Sequence, residues 1–303
     1  MAIWILKAVV QKSISFLPGS QRINYLFQKY VTRGVSLRDD WFSDKLGHCA
    51  DHLRAFGKHG KTQGSFKVFE LGTGWFPVVP IGLFLCGADE VTTCDLYPLL
   101  RDENIRATVE KFRVHLREGS LERLLPGIQP ERRERLLGLS GPGTAMLASM
   151  NIRPMIADAR YTGLPPRSAD LVVSNNVFEH IYPDVLEAIL TEFRRIARPG
   201  GVMSHFIDMS DHFAHLDKSI SIYNFLKYSD RSWKLIDNSV QPMNRMRIYH
   251  YREIYRRLGI PMTEEFNRSG DVQQLKGLKL NERFRSHSAE ETAISHSLIV
   301  SAM

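Results

Sequence analysis

Cysteine is scarce in this chain, and no apolar run is long. The three cysteines, Cys49, Cys86 and Cys94, are odd in number and lack metal-ligand spacing. That excludes a disulfide framework and a cysteine-built zinc site, and it fits reduced thiols in a cytoplasmic protein. A spanning helix needs about 20 apolar residues, whereas the apolar start, Met1 to Val10, contains Lys7 and runs into Gln11, Lys12 and Ser13. It also lacks the basic leader and small-residue cleavage site of a secretion signal. Two readings of it stand: a helix packed on the rest of the fold, or peripheral membrane contact through residues 1–17. The broad spread of its apolar positions favours the packed helix. Internal repeats and low-complexity tracts are absent, and 43% hydrophobic with 24% charged residues is ordinary globular composition.

Charge of one sign is not segregated either. The net charge of +7 invites an anionic partner. Yet Arg132, Arg133 and Arg135 alternate with Glu131 and Glu134, and Arg194, Arg195 and Arg198 share a segment with Glu187 and Glu192. Mixed-sign faces of this kind are solvated helix surface, so nucleic acid is not an expected partner.

What is present is an alternation of apolar runs and helical periodicity. Residues 1–64 read as a helical N-terminal cap, with a turn at Leu17 to Ser20 and a helix over Trp41 to Phe56 for which Asp40 is a cap candidate. Residues 65–303 read as an α/β domain with insertions near 101–150 and 209–250. Strands are expected at Phe66–Leu71, Val91–Cys94, Met155–Ala157, Ala169–Ser174, Val202–Ile207, Met262–Phe266 and His296–Ala302. Helices are expected at Pro77–Cys86, Glu103–Arg117, Ile128–Leu137, Asp184–Ala197 and Tyr251–Leu258, with a turn at 141–143. Short connections between alternating elements predict a parallel sheet covered on both faces.

The strongest motif is Val68-Phe69-Glu70-Leu71-Gly72-Thr73-Gly74, followed by a second apolar run ending at Asp95. Glycines let the backbone turn and approach a ligand closely, and an acid at the tip of the second strand can accept both ribose hydroxyls. Pro77 stands where a dinucleotide fold would place its third glycine, which counts against NAD.

Five motifs in order resemble those of the class I S-adenosylmethionine-dependent methyltransferases. They are Glu70 to Gly74, Asp95, Ala157-Asp158-Ala159, Ala169 through Asn175 and Glu179-His180 to Ile181, and Arg198-Pro199-Gly200-Gly201. The resemblance implies a seven-stranded, mostly parallel, doubly wound Rossmann-like sheet whose last strand runs antiparallel beside the fifth. It implies S-adenosyl-L-methionine as cofactor and S-adenosyl-L-homocysteine as product. The corresponding cofactor residues are Glu70, Gly72, Thr73, Gly74, Asp95, Leu96, Asp158, Ala159 and Asn175. This cofactor has no phosphate, so a shortened glycine motif suffices, and Glu70 is placed for its amino group.

An activated methyl donor leaves the protein to align the acceptor and, for a hydroxyl, to supply a base. His180, His205 and His212 are the base candidates. Asp208, Arg245, Arg247 and Tyr249 are acceptor-binding candidates, the two arginines sharing a face if extended. For the cluster from His205 to Asp217, three readings stay open: an acceptor site, a metal site on His212 and His215, or a polar lid segment. No metal is assigned. Tyr223, Phe225, Tyr228 and Trp233 read as lid packing. The expected acceptor is a small polar molecule such as a metabolite, sugar or natural-product intermediate. RNA methylation and a non-catalytic partner subunit are the alternatives, and homo-oligomers stay open. The Asn/Asp-Pro-Pro-aromatic motif of base-amino methylation is missing, since Asn175-Asn176-Val177-Phe178 occupies its place.

Overall fold

The computed structural model describes residues 3–31 and 35–303. Its centre is one seven-stranded sheet of β1 (Phe66–Leu71), β2 (Ala88–Asp95), β3 (Ile152–Ile156), β4 (Ala169–Asn175), β5 (Ala197–Asp208), β6 (Glu264–Arg268) and β7 (His296–Ala302). The spatial order is β3-β2-β1-β4-β5-β7-β6. Strands β1 to β5 pair in parallel, while β7 runs antiparallel to both β5 and β6. This is the expected doubly wound sheet with a reversed strand beside the fifth. Every residue of β4 is buried, as a strand covered on both faces requires. The order reverses between β1 and β4, which opens a crevice at their carboxyl ends.

The helices are α1 (Ile3–Ser15), α2 (Ser20–Tyr30), α3 (Asp39–His59), α4 (Val78–Leu85), α5 (Asp102–Arg117), α6 (Leu121–Leu124), α7 (Pro130–Leu137), α8 (Gly143–Ser149), α9 (Pro183–Ile196), α10 (Phe213–Leu216), α11 (Asp230–Ile236), α12 (Ile248–Leu258), α13 (Val272–Lys276) and α14 (Ala289–Ala293). Helices α3 to α8 supply one core, in which Phe42, Leu46, Val79, Phe84, Val109 and Phe112 pack on β1 and β2. Helices α9 and α12 cover the opposite face through Leu186, Leu190, Phe193, Tyr251 and Tyr255.

Several boundaries differ from expectation: β2, β3 and β6 run Ala88–Asp95, Ile152–Ile156 and Glu264–Arg268, and the helical segments depart further. Residues 1–64 are not a single cap. Helix α3 buries Phe42, Leu46, Cys49 and Phe56 in the main core, whereas α1 packs elsewhere. Trp4 and Ala8 of α1 join Phe213, Tyr223, Phe225, Trp233 and Met243 in a third cluster, and the Trp4 N–H donates to Asp217 (3.0 Å). So α1 packs on the 209–250 segment, while Ile3, Leu6, Val9 and Phe16 of this region stay exposed. Insertion 101–150 likewise forms the layer over β2 and β3. Its expected turn at 141–143 leads into α8, with Gly141 at φ +91°, Pro142 as the cap and Gly143 the first helical residue, where a Cβ would lie 2.8 Å from the Ile105 Cβ. Asp40 does not cap α3, because it lies in the first turn after Arg38 and favours the helix there through the backbone dipole.

At the other end of the sheet, the fully buried Asp170 ties four segments together. It accepts two hydrogen bonds from Arg198 (2.9 and 3.0 Å), one from the Lys67 N–H (2.8 Å) and one from the Thr62 hydroxyl (2.8 Å). Asp170→Ala strands the Lys67 amide and frees β1 from the β4–β5 turn. It is expected to cost about 3 kcal/mol in urea unfolding. A loss below roughly 1 kcal/mol, the worth of a surface pair, would contradict this role.

Candidate functional site

The carboxyl ends of β1, β2 and β4 meet at the glycine turn. Gly72 has φ +80°, and a Cβ there would fall 2.3 Å from a Val177 methyl carbon. Gly74, at φ +70°, instead faces open space, with nothing within 4 Å of where its Cβ would stand. The first glycine is therefore required by packing, and the second keeps the crevice open for a ligand. The Gly74 N–H donates to Asp95 (3.2 Å), leaving the other Asp95 oxygen for an incoming donor. Burial pushes the Asp95 carboxyl up to about 6, against the stabilising Gly74 and Thr73 amides. Burial likewise pushes Glu70 up to about 8, although the Thr73 hydroxyl donates to it (2.7 Å).

The other expected cofactor residues surround this turn unevenly. Ala159 is buried and Leu96 is exposed. Asp158 is held by Arg160 through bonds of 2.6 to 3.0 Å, which lowers its carboxyl below the usual range. Asn175 accepts from His52 (3.0 Å), but its buried amide nitrogen has no partner among the described residues. An unsatisfied donor, an acid with a spare oxygen and an open glycine turn are the features a bound nucleoside would complete. The residues fit S-adenosylmethionine.

A second polar cluster lies at the ends of β4 and β5. After β4, residues Phe178 to His180 form a tight helical turn. Asn244 pins this turn by donating from its side chain to the Phe178 and Ile181 carbonyls (2.7 Å each) and from its N–H to the Glu179 carbonyl (2.9 Å). Glu179 is buried with both carboxylate oxygens unpartnered among the described residues. Burial first, and then the Asp208 charge, pushes it up to about 8. Burial pushes His180 down to about 4, and its Nδ1 lies 2.6 Å from the Pro242 carbonyl. His212 Nε2 is 3.3 Å from an Asp208 oxygen. Burial disfavours the charged imidazole, but the Asp208 pairing outweighs it, so His212 is raised and Asp208 lowered. The Ser210 N–H (2.8 Å) and His296 (3.5 Å) brace Asp208 from the other side.

Other expectations need correction. His205 faces away from this crevice, because alternation along β5 turns it into the opposite core. It is fully buried there between Phe178 and Phe193 (ring centroids 4.5 and 5.7 Å away), with Nδ1 bonded to Ser174 (2.8 Å). It cannot act as the base. Arg245 and Arg247 do not share a face. Arg245 sits at φ +58° and donates to the Phe225 (3.0 Å) and Tyr228 (2.7 Å) carbonyls and to Asp230. Arg247 starts α12 and donates to the carbonyls of Thr292 (2.9 Å), Met209 and Ile294. Both hold the lid together instead of an acceptor. Tyr249 stacks on His287 at 3.6 Å, away from the cluster. His215 stacks on His212 (5.1 Å) and lies outside the group that Glu179, His180 and His212 form.

Lys45 was not expected. It is buried, which lowers its pKa against the opposing charges of Glu179, Asp44, Glu70 and Asp208. One ammonium thus senses both the cofactor acid and the second cluster. The available signal was its place on the buried stripe of α3, between Phe42 and Leu46, His48 and Cys49.

The family model described as a methyltransferase domain matches residues 141–204. No curated protein matches the sequence. Among solved structures, the chain is similar to a Leishmania major S-adenosylmethionine-dependent methyltransferase, with 11% identity, a TM-score of 0.46, and coverage of 98% of this chain and 82% of that one. It is similar to one from Mesorhizobium loti, with 15% identity, a TM-score of 0.46 and coverage of 84% and 98%. It is also similar to Haemonchus contortus phosphoethanolamine N-methyltransferase 2 in complex with S-adenosyl-L-methionine, with 15% identity, a TM-score of 0.45 and coverage of 83% and 52%.

If Glu70 and Asp95 hold the cofactor, as the sequence motifs imply, their raised pKa values make its binding pH-dependent. Glu70 near 8 and Asp95 near 6 carry protons in the free protein over part of the neutral range. A cofactor ammonium and ribose hydroxyls at these acids would favour the ionised forms, so binding would release protons and tighten as pH rises from 5 to 8. Calorimetric titration at pH 7 in two buffers of different ionisation enthalpy should show release of about one proton. Equal enthalpies in both buffers would contradict the assignment of these acids.

Proposed function

We propose that this chain, which has the class I S-adenosylmethionine-dependent methyltransferase fold and takes S-adenosylmethionine as its cofactor, methylates a hydroxyl of a small polar acceptor held under the 209–250 lid. The observation that carries this reading is the placement of Glu179, His180, His212 and Asp208. They form a polar cluster beside the cofactor crevice, with Glu179 and Asp208 buried and the two histidines half-buried, beneath a lid pinned to the β4 turn by Asn244. A cluster roofed in this way gives a polymer lying across the surface no access. The cavity beneath the lid, lined by Glu179, Asp208, Phe225 and Met243, is about 10 Å³, so the lid would have to open to admit a small acceptor.

The bound cofactor supplies a methyl group already activated on a sulfonium. Glu70 and Asp95 fix the donor's ammonium and ribose, so that only in-line approach is left to arrange. Asp208 orients the His212 imidazole across 3.3 Å and anchors the acceptor. His180, whose Nε2 lone pair is left free by the Nδ1 bond to Pro242, would take the proton of the acceptor hydroxyl as the methyl group passes to its oxygen. The apolar lid core around Phe213, Phe225 and Met243 keeps competing water out.

Incubation with methyl-labelled S-adenosylmethionine and separated small-metabolite, lipid, RNA and protein fractions tests this. Label should enter the small-metabolite fraction, vanish with Asp95→Ala, and drop by about 10²- to 10⁴-fold in rate with His212→Asn. Label in RNA or protein would sink the small-acceptor reading.

A further inference from the structure

We infer that Glu179, His180 and His212 form a binding site for one divalent transition-metal cation, on which the acceptor hydroxyl is held. The second half rests on the hydroxyl-acceptor reading above, whereas the cation site stands on the geometry alone.

Three observations converge. First, Glu179 is 95% buried, and neither carboxylate oxygen has a hydrogen-bond partner among the described residues. Buried carboxyl groups are paired, hydrogen-bonded, metal-bound or held neutral, and this one is neither paired nor hydrogen-bonded, so a cation would supply the partner its ionised form lacks. Lys45, whose charge acts on it, makes no ion pair within 4.0 Å with any described carboxylate. Second, ligand atoms of Glu179, His180 and His212 all lie within 4.8 Å of one another. Ligands about 2.1 Å from a tetrahedral metal sit roughly 3.4 Å apart, so about 1 Å of side-chain rotation closes the site. Third, the histidines are prepared as ligands. A carbonyl can only accept, so His180 Nδ1 carries the proton that bonds to Pro242 at 2.6 Å. That fixes the tautomer whose Nε2 lone pair is free, the outer-partner arrangement typical of metal-bound histidine. His212 Nε2, 3.3 Å from Asp208 and without a hydrogen bond among the described residues, would give up the proton favoured by Asp208 on binding the cation, while Asp208 can bind directly or through water.

The donor set identifies the class of cation. Two imidazoles with carboxylate oxygen suit zinc, cobalt, manganese or iron, whereas magnesium and calcium prefer oxygen alone. Two histidines and one or two carboxylates leave open positions for an acceptor oxygen. With a cation bound, the two imidazoles would act as ligands in place of bases. The cation would lower the pKa of the acceptor hydroxyl so that its proton can pass to the Asp208 carboxylate, 3.3 Å from His212. His215, the histidine that sequence spacing pairs with His212, has its Nε2 3.3 Å from the Ser210 hydroxyl and is not part of the set.

The test uses the full chain stripped with chelator, without cofactor or acceptor. Cobalt(II) and manganese(II) are titrated by calorimetry, and cobalt(II) also by visible absorption. One equivalent should bind, with ligand-field bands of a site containing nitrogen donors. Glu179→Gln and His212→Gln should each weaken binding at least 10-fold, and His215→Gln should leave it unchanged. S-adenosylmethionine binding, measured on every variant, reports that the fold survives. No stoichiometric uptake, or uptake unaltered by both cluster variants in folded protein, would overturn the site and leave the methyl-transfer reading intact. Stoichiometric uptake lost in the variants supports the cation site, even if no labelled small acceptor is found, and that second failure would count only against the function.

Discussion

Desolvated acid at the carboxyl edge of the sheet is the constraint around which the molecule is arranged. Glu70, Asp95, Glu179 and Asp208 are carried there by β1, β2, the turn after β4, and β5. Removing carboxylates from water is unfavourable, and Glu70 and Glu179 respond by rising to about 8. Such positions are poor for stability, and they cluster where ligands supply the missing partners. Lys45, set into the same space by α3, offsets part of the charge.

Holding that edge closed falls to the lid. Its apolar cluster includes α1, so the chain's first described helix is tied to residues more than two hundred positions away through Trp4 and Asp217. Arg245 and Arg247 bind carbonyls that would otherwise be left unsatisfied in a dry loop region. Asn244 and Pro242 then reach the turn that carries Glu179 and His180. Lid and polar cluster are consequently one structure: disturbing the 242–247 segment moves the residues expected to meet the acceptor.

Much of this was legible in the sequence, and for identifiable reasons. β7 falls at His296–Ala302 as expected, because an apolar run between polar flanks leaves little freedom of placement. The glycine turn, Asp95 and the β4 strand were readable because backbone geometry demands particular residue types there. β5 begins five residues earlier than expected, at Ala197, since Pro199 and Gly200 hide a strand that its pairing with β4 nevertheless extends. Side-chain direction was harder to see. His205 and Asp208 lie in one strand but on different sides of the problem, and which of them meets the crevice depends on register. The arginines looked like an acid-binding pair until the positive φ of Arg245 separated them. Lys45, Glu179 and His212 come from three distant segments, and only the folded chain brings them together.

The central claim is that a nucleoside donor lies across β1 and β2 with its reactive end toward the Glu179, His180 and His212 cluster. A crystal structure of the full chain with S-adenosyl-L-homocysteine tests this most directly. The account predicts ribose hydroxyls on Asp95, the amino group near Glu70, and the sulfur facing the cluster beneath the lid. A ligand bound elsewhere, or one whose sulfur points away from Glu179 and His212, would contradict it.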